Sequence, residues 1–350
     1  MKLNSEIVID CDKMKAPNTG LHYFCLHLVN ALQKKALSEK EAVSIFAPDR
    51  VHNLFDKNTP KISRQLWNIF RLHLPSQYKV WHATYQLGKY FPVSKQSVLL
   101  TIHDLNFLYE GKSNPHKYLK KIQKNIDRAD KITAISEFTK KDILTHLNTH
   151  GKEVTVIYNG GQKYEGVLSR PKWIDGDRPF LFSLGTVLPK KNFHVLPCLL
   201  KGNDYNLIIS GNLSPYSLQI LNEAKQWGVE NRIILSGPVK EEEKQWLLSN
   251  CSAFLFPSIA EGFGLPVVEA MYYGKPVFSS SRNSLPEIGG SVATFFNDEF
   301  EPDGMREEFS KGMELYSSGT ITPEMIVQNA SRFSWERTAE KYWQIYNTLR

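Results

Sequence analysis

Short apolar runs alternate along nearly the whole chain with longer segments of helical period. That rhythm allows few architectures. A strand that must return parallel to its neighbour needs a crossover, and a helix is the usual one. The runs Glu6–Asp10, Val43–Ala47, Val80–Ala83, Ser97–Ile102, Lys131–Ile135 and Val154–Ile157 read as strands of one sheet. Phe180–Leu184, Asn206–Ser210, Arg232–Leu235, Ala253–Phe256, Pro276–Ser279 and Ala293–Phe296 read as strands of a second. Helices are expected between them, among them Lys117–Arg128, Asn192–Leu200, Pro215–Trp227 and Pro266–Tyr273. Trp335–Leu349 closes the chain, with Ser334 as its cap. The fold class is therefore α/β with parallel sheets.

A chain of 350 residues is long for one core and suits two domains. Residues 162–178 hold Pro171, Gly176 and mixed charge with no clear period. They separate an expected domain 1–170 from a domain 171–333, and 334–350 form the closing helix. Charge divides the same way. Residues 1–170 carry 26 Lys+Arg against 15 Asp+Glu, whereas 171–350 carry 17 against 21. A basic first half fits an anionic partner, whether nucleic acid, a membrane surface or a phosphorylated acceptor, and fits a solvated basic face as well. The interleaved aromatic and basic pattern of base stacking is missing, so nucleic acid is not expected. No apolar run reaches the roughly 20 residues of a membrane helix, and a cytoplasmic protein is expected. Cys11, Cys25, Cys198 and Cys251 are widely spaced and read as buried thiols.

Familiar signatures are absent. The first strand–helix turn has only Gly20, so there is no GxGxxG, and neither GxSxG nor HExxH occurs. The informative stretch is Phe256–Ala270, reading FPSIAEGFGLPVVEA. It leaves the carboxyl end of a strand, where open parallel sheets bind ligands. Gly262 and Gly264 let backbone approach a bound molecule, and Pro266 suits a first helical turn. Amides around Phe263–Val267, those of Phe263, Gly264 and Leu265 among them, lie at a helix start and can face a diphosphate. Glu261 and Glu269 supply carboxylates, which read pairs of hydroxyls well.

This stretch resembles the Glu-seven residues-Glu motif of family-4 retaining glycosyltransferases. Further landmarks run through the chain in the family's order: Gly20, His103-Asp104-Leu105, Ala134 to Phe138, Tyr158-Asn159-Gly160, Gly274 to Val277 and Phe333 to Glu336. The resemblance implies the GT-B fold, two facing Rossmann-like domains with a cleft between them, and a last helix, 334–350, that crosses back to pack on the first domain. It implies that Glu261 contacts the transferred sugar and Glu269 the nucleotide ribose. Lys191 matches the phosphate-binding lysine. Thr186 stands where many relatives have Arg, which leaves Lys190 as a substitute cation. His103 is expected at the reaction centre, with Asp104 capping or orienting it. Gly20 is expected at the diphosphate from the first domain, and Val239 of Gly237-Pro238-Val239 near the base. For that last segment a plain turn is the competing reading. His82, also at a strand end, is a weaker candidate to face the acceptor.

The chemistry so implied is transfer of a hexose with retention, by front-face attack, needing no cofactor and no metal. Asp10-Cys11-Asp12 and Asp175-Gly176-Asp177 read as structural. The variants around His103 and Gly185–Asn192 resemble bacterial polysaccharide and lipopolysaccharide mannosyltransferases. GDP-mannose is therefore the leading donor, ahead of UDP-sugars, with a saccharide or lipid-linked saccharide acceptor. Peripheral contact with an anionic inner membrane face is a further expectation. A rival reading is a non-catalytic nucleotide-sugar-binding subunit.

Overall fold

The computed structural model describes residues 4–17, 19–63, 74–93, 95–111 and 113–350. The chain divides into two compact units. Unit 1 is Met1–Gly160 with Phe333–Arg350, and unit 2 is Gly161–Arg332.

Unit 1 contains β1 (Asn4–Asp10), α1 (Gly20–Ser38), β2 (Glu41–Ala47), β3 (Lys61–Ser63), β4 (Val80–Ala83) and β5 (Ser97–Ile102). After these come α2 (Pro115–Arg128), β6 (Lys131–Ala134), α3 (Glu137–His146) and β7 (Val154–Val156). Its strands pair in parallel in the order β3-β2-β1-β4-β5-β6-β7. Because side chains alternate along a strand, Ile7 and Ile9 of β1 enter one core and Val8 the other. The order turns between β1 and β4, where Asp10 lies beside Ala83. Loops leaving these two strands run in opposite directions, which opens a crevice at the carboxyl edge.

Unit 2 contains β8 (Phe180–Leu184), β9 (Asn206–Ser210), α4 (Ser217–Gln226), β10 (Ile233–Gly237), α5 (Glu241–Asn250), β11 (Ala253–Phe256) and α6 (Leu265–Met271). They are followed by β12 (Val277–Ser280), α7 (Leu285–Gly289), β13 (Thr294–Phe296), α8 (Pro302–Ser317) and α9 (Pro323–Ala330). The parallel order is β10-β9-β8-β11-β12-β13, so this sheet turns between β8 and β11. Residues 193–200 form a 3-10 helix, not the α-helix their sequence suggests. Pro197 lies inside it, and a proline there has no N–H for an α-helical bond. The strand expected at Arg232–Leu235 instead spans Ile233–Gly237, and Arg232 ends a short 3-10 turn before it.

The last helix, α10 (Trp335–Leu349), belongs to unit 1. Ser334 accepts the N–H of Arg337 at 3.2 Å and caps it. Trp335, Ala339, Tyr342 and Tyr346 are buried in the same core as Phe24, Leu28 and Leu32 of α1. Tyr342 and Tyr346 also carry polar ends into the sheet. Tyr346 Oη lies 2.7 Å from His82 Nδ1, and His82 Nε2 lies 2.7 Å from Thr101 Oγ1. Tyr342 Oη is 3.0 Å from the same threonine oxygen. His82 is thus fully buried and does not stand at the strand's open end. It precedes the last residue of β4, and its side chain enters the layer between sheet and α10.

All four cysteines are buried and unpaired. Among the described residues, no helix is long and apolar enough to cross a membrane.

Two neutral histidines should shape the acid stability of unit 1. Burial, and secondarily His103, lowers His82 from 6.5 to about 3. Burial lowers His103 to about 4 against the opposing bond to Thr84. As pH falls below 6.5 the unfolded chain takes up both protons first, and stability declines. Asp10 acts oppositely, since burial raises its carboxyl from 3.8 to about 7 and the folded chain keeps that proton. The three groups leave a net difference of one proton. Unfolding free energy should therefore fall by about 1.4 kcal/mol per pH unit between roughly pH 6 and 4.5. Asp10→Asn should about double that slope in urea titrations; an unchanged slope would refute the assignment.

Candidate active site

In unit 2 the site is assembled where the strand order turns. β8 ends at Leu184 and the chain passes through Gly185, at φ +150°, which lies against Gly211, at φ +140°. Their amides close the sheet's edge, Gly185 N–H to Ser210 O at 2.9 Å and Gly211 N–H to Gly237 O at 2.9 Å. Pro189–Lys191 then form one 3-10 turn. The loop leaving β11 is stitched to it, as Ile259 N–H donates to Lys190 O at 2.9 Å, and Ser258 Oγ lies 3.1 Å from the same oxygen.

That stitching brings Lys191 and Glu261 together. The ammonium is ion-paired with Glu261 Oε1, to which Ser258 Oγ also donates at 2.7 Å. Lys191 Nζ lies 4.7 Å from the centroid of the Phe256 ring. Both charged side chains are mostly covered, at 13% and 15% exposure, but not sealed from solvent. Ser284 fixes the next turn by donating to Glu261 O at 3.1 Å and Phe263 O at 3.0 Å. Gly264, at φ +109°, caps α6, and a Cβ there would lie 2.7 Å from Leu285 Cδ2. Gly262, Phe263 and Leu265 stand in the same turn. The Val267 N–H is already spent on Gly264 O at 2.9 Å, which narrows the expected row of amides to those before it.

Glu269, one turn into α6, lies beside Lys244 of α5 at 2.9 Å, and Lys244 also meets Glu241 at 3.0 Å. Burial alone would lower the Lys244 ammonium; Glu269 and Glu241 together hold it above its ordinary value. Thr186 and Lys190 sit on the loop after β8, and Val239 is half-buried in the loop after β10.

In unit 1 His103 follows directly on β5. Its Nε2 lies 2.8 Å from Thr84 O, which requires a proton on that nitrogen. Phe24 meets its ring edge-to-face at 4.6 Å, and Gln86 Oε1 accepts its backbone N–H at 3.1 Å. Burial therefore keeps the ring neutral, and the bond to Thr84 O orients it. Asp104 accepts the N–H of Asn106 at 3.1 Å, so its carboxylate caps the turn that follows. Gly20 opens α1 behind the cap Thr19, and a Cβ there would meet nothing within 4 Å. Packing within the unit gives no reason for a glycine at that point. Asp10 Oδ1 accepts the N–H of Asp12 at 2.9 Å, and Asp12 pairs with Lys15 at 3.0 Å, as befits structural carboxylates.

Sequence reading passed over Ser258, Ser284 and Lys244. A single serine or lysine has no signature, and only the partners assembled by the fold single them out.

Residues 22–160 match the family described as Glycosyltransferase Family 4, and residues 168–333 match Glycosyl transferases group 1. The chain belongs to glycosyltransferase family 4. This glycosyltransferase is 24% identical to O-antigen chain mannosyltransferase B of Escherichia coli, across 98% of the chain and 100% of that relative. Among solved structures it resembles sucrose-phosphate synthase from Thermosynechococcus elongatus, with a TM-score of 0.77 and 16% identity over 98% of each chain. It also resembles HepE of Anabaena, solved in complex with UDP and glucose, with a TM-score of 0.74 and 15% identity. That likeness covers 98% of this chain and 100% of HepE. The glycosyltransferase has the GT-B fold, with two parallel-sheet units.

Proposed function

We propose that this glycosyltransferase moves mannose from GDP-mannose to a saccharide or lipid-linked saccharide acceptor in cell-surface polysaccharide synthesis, with retention and without a metal. The observation that carries the reading is the Lys191–Glu261 pair, held by Ser258 at the turning point of the unit 2 sheet. A cation there neutralises a diphosphate leaving group, and a carboxylate beside it accepts sugar hydroxyls. The likeness to an O-antigen chain mannosyltransferase supports mannose.

In this reading the protein's task is charge stabilisation and positioning. Lys191 and the amides of Phe263, Gly264 and Leu265 hold the diphosphate, which accepts the acceptor's proton as it departs. Glu261 holds the sugar hydroxyls and Glu269 exchanges Lys244 for ribose hydroxyls. His103, neutral and bonded to Thr84, stands by the sugar. Exposed Lys117, Lys120, Lys121 and Lys124 on α2 support peripheral contact with an anionic membrane. Vesicle binding indifferent to salt would refute that part.

The experiment is nucleotide release from a panel of nucleotide-sugars with EDTA present. GDP release from GDP-mannose, and a product of unchanged anomeric configuration by NMR, are expected. Release from UDP-sugars alone would overturn the donor, an inverted product the stereochemistry, and dependence on added metal the metal-free chemistry.

A further inference from the structure

The turning point of the unit 1 sheet carries a second group of charges that the reaction outlined above leaves unused. The loop leaving β1 presents Asp10 to Lys15, and the loop leaving β4 presents Thr84 to Lys89. Across the crevice between them, Lys13 Nζ lies 4.2 Å from the centroid of the Tyr85 ring. The Tyr85 ring in turn lies 6.5 Å from that of His103. Lys13, Tyr85 and His103 thus form a row along the carboxyl edge of the sheet, the edge where open parallel sheets take ligands.

The charges in this row do not balance. Lys13 is half-buried, and among the described residues it forms no salt bridge. Burial, and then Lys15, lowers its ammonium; Asp12 and Asp10 oppose this without reversing it, and Lys89 adds to the lowering. Of the nearby carboxyl groups, Asp12 is paired with Lys15 at 3.0 Å. Asp10 is buried and its carboxyl is raised to about 7, so near neutral pH it carries only part of a charge. Asp104, near Tyr85, caps the turn at Asn106. A ring face attracts a cation but replaces a counter-ion only in part. A half-buried ammonium without an anion is costly, and a bound anion relieves that cost.

We propose that Lys13, seated on Tyr85 and flanked by Lys15 and Lys89, binds an anionic group, phosphate or carboxylate, on the acceptor saccharide. Lys13 is then a specificity residue. It selects acceptors by charge at a distance of one aromatic ring from His103, and it takes no part in breaking the donor bond. The inference rests on the reading that unit 1 receives the acceptor.

Calorimetry on the full chain tests it, with GDP saturating the donor side. The probes are decyl diphosphate-linked mannose, decyl glucuronide and the neutral decyl mannoside. Wild type should bind at least one anionic probe about tenfold or more tightly than the neutral one. Lys13→Met should remove that preference while leaving GDP binding and the neutral probe unchanged, and Lys13→Arg should retain it. Preference for the diphosphate identifies a phosphate ligand, and preference for the glucuronide a carboxylate. Equal binding of all three probes by wild type, or a preference that survives in Lys13→Met, overturns the proposal. Loss of GDP binding by wild type itself would instead tell against the donor reading.

Discussion

Replacing Lys191 by methionine should lower sugar transfer by about 100- to 1,000-fold, the size of effect seen when one preorganised donor to a developing negative charge is removed. The side chain is fixed at several points. Its carboxylate partner is Glu261, its neighbour is the Phe256 ring at 4.7 Å, and its turn is tied to the β11 loop through Lys190 O. A cation so placed does not have to reorganise when the leaving group gains charge. Methionine fills similar space without the charge, so the fold should survive, and the pair's partial exposure limits its contribution to stability. The measurement is nucleotide release and product formation, with thermal unfolding beside it. A loss below about fivefold with unchanged unfolding would remove Lys191 from the leaving-group site. Glu261→Gln should also impair transfer, because the amide accepts fewer bonds from sugar hydroxyls and frees Lys191 from its resting partner.

Gly211→Ala should destabilise unit 2 by about 3 kcal/mol or more, because a positive φ and a backbone clash coincide there. An added Cβ would run into the carbonyl oxygen of Gly185 and lie 3.2 Å from Thr186 N. Neither atom is the end of a flexible side chain, so the two strand ends must part. For a unit of this size that loss corresponds to a fall of about 6 °C or more in melting temperature. The displacement would pass to the turn carrying Lys191, so transfer should fall as well. Gly228→Ala is the control. It also has positive φ, +66°, but open space around the added atom, and should cost only about 1 kcal/mol. Equal melting temperatures for the two variants would show that the Gly185–Gly211 approach is not as tight as drawn.

The extent to which these features could be read beforehand differs by residue. Pro266 announces its role, since a first helical turn tolerates proline, whereas the left-handed cap at Gly264 shows only in the fold. The capping serines Ser136 and Ser334 are local in the same sense, each accepting an amide three residues on. Pro197 could have warned that residues 193–200 would not form a regular α-helix. His82 could not be placed, because its direction depends on where β4 ends and on which helix covers that face. The same holds for Glu269. Its spacing from Glu261 is plain in the sequence, but Lys244 comes from another helix and is visible only once both are packed.

By itself the sequence determined the alternation of strands and helices, the two-sheet architecture and the glycine turn and proline helix start of the segment from Phe256 to Ala270. Those depend on period, turn residues and local caps, which act over a few positions. The tertiary structure alone decided that Lys191 meets Glu261, that Tyr342 and Tyr346 carry the polar contacts by which α10 holds unit 1, and that Lys13 rests on Tyr85. Each joins residues far apart in the chain, whose meeting is set by strand order and side-chain burial, which no local pattern records.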